Sequence, residues 1–242
     1  MKIGVIGAME LEIESLHAAI EGCKETKVGR FVFYEGTMAG TEVVLLLSGI
    51  GKVSAAVGTA LLIERFAPDL VVNTGTAGGL GDSSVYDLIL ASEVAYHDVD
   101  VTAFGYAYGQ QAQMPPTYHS DETYTERLRE VASKHSGRLH FGEVVSGDSF
   151  ISDPERLRGI EALFPKAKAV EMEAAAIAQT CYLFAVPFVM LRAVSDKAGE
   201  GNTVSYDTFV NEAGRLSAAI VKDFIVHSVQ CIVHSSQGYS KN

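Results

Sequence analysis

The chain has 242 residues, 48% of them apolar and 20% charged, and carries 30 acidic side chains against 19 Lys and Arg for a net charge of −11. A chain of this length buries roughly 70–75% of its unfolded surface as one large domain and needs no disulfide or metal staple. The acidic balance argues against the basic face of a nucleic-acid binder and against docking on anionic lipid.

The longest apolar runs, such as 43–47 and 183–191, fall far short of the ~20 residues of a membrane helix. The start, MKIGVIGAMELEIE, turns acidic at Glu10 and has no small-residue cleavage site. That predicts no signal peptide and a cytoplasmic protein. Cys23, Cys181 and Cys231 are scattered, with no CxxC, and read as buried free thiols in a reducing compartment.

In chain order, 2–7 (KIGVIG) reads as a first buried strand, and Leu11, Ile13, Leu16 and Ile20 follow near helical spacing. Strands are predicted at 31–34 and 42–47, with Gly40-Thr41 as a hairpin-like connection. The clearest helix covers 52–66, where Val53, Ala56, Val57, Ala60 and Leu61 recur at i, i+3, i+4, i+7 and i+8. A buried strand at 70–73 runs into the glycine-rich TGTAGGLG. Residues 87–92 and 93–97 read as extended, and 102–118 as a long loop of the kind that is often functional. Helices follow at 121–135 and at 154–163, the second with Pro154 at a favoured first position. Strands at 142–146, 167–171 and 187–194 and a helix at 173–184 complete the alternation. A C-terminal helix over about 207–233 carries Phe209, Ala213, Leu216, Ile220 and Phe224 on one face, and from about 234 the pattern fades into polar residues typical of a frayed tail. With no linker or composition shift, the prediction is one α/β domain over 1–242, with a central, mixed, mostly parallel sheet and helices on its faces.

Ligands of such sheets bind beyond the carboxyl ends of the strands, and there the sequence places carboxylates. Glu10, Glu12 and Glu14 follow the first strand, Glu171 and Glu173 sit in VEMEA, and Asp196 ends PFVMLRAVSD. Acidic residues beside a helix N-terminus also serve as caps and dipole partners, and Asp196 also suits a turn. Several carboxylates gathered at one site, one of them protonated, suit hydrolysis through a cationic transition state.

Other motifs lack what their chemistry needs. Gly49-Ile50-Gly51-Lys52 has Leu46 and Val53 where a phosphate loop requires Gly and Ser or Thr. TGTAGGLG is not GxGxxG. His97-Asp98-Val99-Asp100 has no second His at a metal-ligand spacing. Ser146 and Ser149 lack a GxSxG elbow.

Taken together and in order, IGAMELEIE, SGIGKV, NTGTAGGL, HDVDVTAFGY, VSGDSFI, VEMEAAAIA and VPFVMLRAVSD resemble the bacterial 5′-methylthioadenosine/S-adenosylhomocysteine nucleosidases over residues 1 to about 224. The resemblance implies a single-domain, three-layer nucleoside phosphorylase/hydrolase fold, a homodimer, a small nucleoside substrate, and no metal or organic cofactor. It implies hydrolysis of the N-glycosidic bond of methylthioadenosine, S-adenosylhomocysteine and 5′-deoxyadenosine, in methionine salvage and S-adenosylhomocysteine recycling. Glu12 would be the base for water and Asp196 the acid that protonates adenine N7. Glu173 would hold ribose hydroxyls, with Met172 and Glu171 beside the ribose. Phe150 would stack on adenine, and Ile151 would offer it backbone hydrogen bonds. Thr76, Ala77 and Gly78 would line the base and ribose region, and Met9 and Ile50 the sugar and 5′ side. Ser195 and Arg192 would support the strand end and the acid. Segment 101–116, with Val101 and Phe104, would complete an apolar 5′ pocket across the dimer, and Tyr206 would cap the adenine or 5′ pocket.

Phosphorylases related to this family hold phosphate with arginines near the first strand end and the glycine-rich strand end. Here the first loop, AMELEIE, has three Glu and no Arg, and Asn73-Thr74 precede Gly75. Water is therefore the expected nucleophile. The alternatives are an aminofutalosine hydrolase of the same family, a purine nucleoside phosphorylase, and a nucleoside-binding protein without turnover. Thr76, Ser149, Tyr206 and Tyr86 depart from the residues usual in the family, Tyr86 from a Gly.

Overall fold

The first predicted strand, KIGVIG, has no polar side chain after Lys2, and it is buried from Ile3 onward, as a strand covered by helices on both faces must be. The computed structural model describes residues 1–135, 137–199 and 203–237, with side chains except those of 203–207 and 228–237. The chain runs β1 (Lys2–Gly7), α1 (Glu10–His17), β2 (Glu21–Val28), β3 (Phe31–Met38), β4 (Thr41–Leu47), α2 (Lys52–Phe66), β5 (Leu70–Gly79) and β6 (Leu88–Tyr96). After a 3₁₀ turn at Thr102–Phe104 come β7 (Tyr118–His119), α3 (Glu122–Ala132), β8 (Leu139–Ser146), α4 (Pro154–Leu163), β9 (Ala167–Glu171), α5 (Ala174–Phe184), β10 (Phe188–Lys197) and α6 (Thr203–Gln237).

The strands form one mixed sheet in the order β10-β6-β8-β9-β5-β1-β4-β3-β2, with β7 beside β6. β10 also pairs with β5, which closes β5, β10, β6, β8 and β9 into a ring. Parallel pairs join β1 to β4 and β5, β5 to β10, and β8 to β6 and β9. The remaining pairings, including the outer β2–β3–β4 meander, are antiparallel.

Alternation along the strands makes the three layers. Ile3 and Val5 of β1, Val72 of β5 and Val189 of β10 face α1, α3 and α6, meeting Leu16, Leu128 and Phe224. Ile6, Val71 and Met190 face α2 and α5, meeting Leu62, Phe66 and Ile177. Ala213, Ile220 and Phe224 are buried along α6, as its spacing predicts, and Leu216 is partly buried against them.

The structure differs from the sequence reading in several places. EGCKETKV forms β2, an edge strand exposed over most of its length, and its polarity hides it. Cys23 on that strand is exposed rather than buried, whereas Cys181 is buried; the Cys231 side chain lies outside the described ones. Helix α2 has the predicted bounds, but its buried side is Ala55, Gly58, Thr59, Leu62, Ile63 and Phe66. The Val53 and Val57 ridge is 76% and 45% exposed. Tyr86 adopts φ +70°, a left-handed conformation that accounts for Gly being usual there. Its hydroxyl donates to Glu212 Oε2 at 2.6 Å, and its ring meets Phe209 edge-on, fixing the turn to α6. Of the tail predicted from about 234, residues 238–242 lie outside the described ones.

Candidate active site

The carboxyl ends of β1, β5, β9 and β10 and the loop after β8 surround a cleft of about 580 Å³, counted out to its solvent mouth. Glu12 enters from α1. Its Oε2 accepts from the Ala8 and Met9 backbone N–H groups at 2.9 and 3.1 Å, so it does cap the helix. Its Oε1 accepts from the Thr76 N–H at 2.9 Å and the Thr76 hydroxyl at 3.2 Å. Capping the helix thus does not keep this glutamate out of the cleft, whereas Glu10 and Glu14 are exposed and do not line it. The approach depends on Gly75, whose φ is +145° and where a Cβ would lie 2.5 Å from Glu12 Oε1.

Glu171 and Glu173 flank Met172 at the end of β9. Glu171 lines the cleft, but its oxygens are taken by the protein. They accept from the Glu173 and Ala174 backbone N–H groups at the start of α5, from the Ser146 hydroxyl and from Arg192 Nη2. Glu171 is therefore a helix cap and an arginine anchor. Glu173 accepts from the Gly51 N–H at 2.9 Å and lies 3.3 Å from Arg192 Nη2. Burial, then the neighbouring Glu171 anion, pushes its carboxyl up to about 7 despite Arg192.

Arg192 was expected to support Asp196. It serves the other carboxylates instead: Nη2 lies 2.6 Å from Glu171 and 3.3 Å from Glu173, and Nη1 lies 3.7 Å from Glu12. Asn73 Oδ1 and the Thr74 carbonyl accept from it as well. Burial alone would lower its pKa, but the surrounding carboxylates outweigh that and raise it, so it stays protonated. It is the only Lys or Arg lining the cleft among the described residues.

Asp196 stands apart from this network. A bulge in β10 leaves Ser195 between the Val194–Ala77 and Asp196–Gly78 partners. Bulges re-aim side chains, and both Ser195 and Asp196 line the cleft. Burial raises the Asp196 pKa, opposed by a 2.7 Å hydrogen bond from the Ser195 hydroxyl. Ser195 is thus the hydrogen-bond donor that holds Asp196 Oδ1 in place.

Thr76, Ala77, Gly78, Met9, Ile50, Phe150 and Ile151 line the same cleft. Val101 and Phe104 do not: Val101 caps and Phe104 ends the 3₁₀ turn after β6, and Phe104 is 82% exposed. The Tyr206 side chain lies outside the described ones. Ala8, Val170 and Ala198 also line the cleft and were not foreseen; each lies within two residues of a strand-end carboxylate or strand terminus, the one signal available for them. Among the described residues no group of His, Cys, Asp and Glu is arranged to hold a metal ion, and no helix is long and apolar enough to cross a membrane.

The chain matches the family model of the phosphorylase superfamily over residues 2–226. It is 49% identical over 223 residues to the 5′-methylthioadenosine/S-adenosylhomocysteine nucleosidase of Geobacillus kaustophilus, covering 91% of this chain and 95% of that protein. The nucleosidase of Neisseria meningitidis, solved with methylthio-immucillin-A, superposes with a TM-score of 0.91 at 49% identity, covering 93% of this chain and 99% of that one. The futalosine hydrolase of Helicobacter pylori has the same fold, with a TM-score of 0.87, but 33% identity over 93% of this chain and 97% of that one. The strand-end carboxylates thus sit in the fold that their order in the sequence implied, and the chain belongs to the phosphorylase superfamily and, within it, to the 5′-methylthioadenosine/S-adenosylhomocysteine nucleosidases.

Proposed function

We propose that the protein hydrolyses the N-glycosidic bond of 5′-methylthioadenosine and S-adenosylhomocysteine, with Asp196 as acid and Glu12 as base. The observation that carries this reading is the division of the cleft into two parts. On one side, Glu12, Glu171 and Glu173 surround Arg192. On the other, Asp196 is buried with its pKa raised, and among the described residues its side-chain partner is a neutral hydroxyl, that of Ser195.

Asp196 donates its proton to adenine N7, so the electron pair of the C1′–N9 bond leaves on a neutral base. The ribose then carries oxocarbenium character, which ionised Glu173 stabilises while accepting from the ribose hydroxyls. Glu12, held by three backbone N–H groups and the Thr76 hydroxyl, takes a proton from water as its oxygen bonds to C1′. The products are adenine and the 5-thioribose. Phosphate is a poor alternative nucleophile here, because Arg192, the one cation lining the cleft among the described residues, is already surrounded by carboxylates. No step requires a metal or organic cofactor.

Phe150 and Ile151 border the base, and Met9, Met172 and Ile50 the sugar and 5′ side. The 5′ end is completed in a homodimer by Val101 and Phe104 of the other copy. Supporting this are the exposed apolar side chains Ile50, Val53 and Val57 at and on α2, Tyr182 and Leu183 on α5, and Phe104, since exposed apolar surface marks interaction sites where it is contiguous. Sedimentation at twice the 25.9 kDa chain mass is expected. A cytoplasmic location fits methionine salvage.

Substrate ranking tests the reading. Methylthioadenosine and S-adenosylhomocysteine are expected to be turned over with higher kcat/KM than 6-amino-6-deoxyfutalosine. The reverse order would move the protein to the futalosine hydrolases.

A further inference from the structure

Three motifs that resemble ligand sites meet at the N-terminus of α2, beside the cleft. They are GIGK at 49–52, HDVD at 97–100 and the Gly-Asp pair of VSGDSF. Lys52 Nζ donates to Asp98 Oδ2 at 2.7 Å and lies 3.9 Å from Asp148 Oδ2. Asp98 Oδ2 also accepts from the Asp148 backbone N–H at 3.0 Å. Asp148 Oδ1 in turn accepts from the Lys52 backbone N–H at 2.8 Å. One residue earlier, the Gly51 N–H donates to Glu173 Oε1 at 2.9 Å.

The helix itself explains why carboxylates gather there. The N-cap of α2 is Gly51, which has no side chain, and the first turn contains no acidic residue. Its leading N–H groups and positive end lack a local partner. Asp148 and Glu173, from two separate segments, supply what the helix lacks. Gly51 permits the approach: its φ is +93°, and a Cβ there would sit 3.0 Å from Asp148 Oδ1. The helix end that could have held a phosphate is therefore filled by the protein's own carboxylates.

Lys52, Asp98 and Asp148 do not line the cleft, yet Ser149, Phe150 and Ile151 follow Asp148 directly and do. The Lys52 and Asp98 side chains are 23% and 20% exposed, and Lys52 Nζ lies 5.4 Å from the centre of the Tyr96 ring. Burial would raise the Asp98 pKa, but Lys52 and the Asp148 N–H more than offset it, so Asp98 is held ionised.

We propose that Lys52 and Asp98 are positioning residues, which clamp loop 147–151 onto the start of α2 and thereby fix the wall of the nucleobase subsite. The clamp deepens the nucleosidase reading and rests on it for the identity of the base. Its energy acts through Asp148 on Phe150 and Ile151, so its loss loosens base binding more than it slows chemistry.

The test uses Lys52→Met, Lys52→Arg and Asp98→Asn in the full chain, with melting temperature, steady-state kinetics on methylthioadenosine and calorimetric binding of free adenine. Lys52→Met and Asp98→Asn are each expected to raise KM about tenfold and weaken adenine binding by a similar factor, with kcat within about threefold of the parent. Lys52→Arg keeps a cationic donor and is expected to recover most of the affinity. Parent enzyme that binds adenine but turns over no nucleoside would defeat the nucleosidase reading while leaving the clamp measurable by adenine binding. Unchanged KM and adenine affinity in both variants would overturn the clamp. So would a fall in kcat at constant KM, the pattern of a smaller folded fraction. So would equal impairment in Lys52→Arg and Lys52→Met, or failure of both Lys52→Met and Asp98→Asn to fold, which would make the contacts structural alone.

Discussion

Arg192 Nη2 donates to Glu171 Oε2 at 2.6 Å in the interior, where the arginine side chain is 1% exposed and the glutamate 3%. This pair fixes the guanidinium between Glu12 and Glu173 and, through the Glu171 cap, to the start of α5. Removing the cation leaves buried carboxylates facing one another. Arg192→Met is therefore expected to destabilise the fold by about 3–5 kcal/mol in urea unfolding, with Arg192→Lys losing less. A loss below about 1 kcal/mol would mean that the carboxylates find other partners.

Glu12→Gln and Asp196→Asn are nearly isosteric, and each removes one of the two proposed proton-transfer groups. Each is expected to lower kcat by about 10²–10⁴-fold while the far-ultraviolet circular dichroism stays that of the parent. Adenine release followed chromatographically measures this. An active Asp196→Asn enzyme would take the acid out of the mechanism.

In the proposed mechanism Glu173 acts ionised, and burial raises its carboxyl from 4.5 to about 7. Its part in catalysis therefore grows as pH rises through about 7, giving the acid limb of the kcat/KM profile. The folded state binds this proton more tightly than the unfolded chain does. The associated stability is thus fully present below pH 4.5 and is lost as pH rises toward 7. Glu173→Gln is expected to lose both the acid limb and this decline in stability. A limb unchanged in the variant would assign it to another group.

Gly75→Ala tests the close approach beneath Glu12. The left-handed φ and the 2.5 Å distance from the added Cβ to Glu12 Oε1 both oppose the methyl. The expected outcome is a loss of at least ~1–3 kcal/mol, with activity falling further than the folded fraction does, because Glu12 must move. Parental stability and turnover would show that β5 can adjust there.

Much of this architecture was readable in the sequence because local signals agreed with burial. Pro154 marks the start of α4, where the structure adds an Asp153 side chain accepting from the Glu155 N–H, and the strand ends located the carboxylates. Edge strand β2 was not readable, because EGCKETKV buries so little that no apolar alternation is required of it. The orientation of α2 was ambiguous because the helix is apolar on more than one side, and periodicity reports spacing rather than which face meets the sheet. Within the site, position marked the strand-end carboxylates and only the family resemblance singled out Glu12 from Glu10 and Glu14, whereas the partners of Arg192 and the engaged state of Glu171 depend on contacts among β5, β9 and β10. Val101 and Phe104 lie away from the cleft in a single chain, and no spacing rule could have indicated that.

Water as the nucleophile is what separates hydrolysis from phosphorolysis in this cleft. The most direct measurement is product analysis of methylthioadenosine turnover by the purified protein in phosphate-free buffer and again with added phosphate. Adenine and free methylthioribose at equal rates in both buffers are predicted. Adenine released only with phosphate, together with the sugar 1-phosphate, would contradict the assignment of the Glu12 side of the cleft to water.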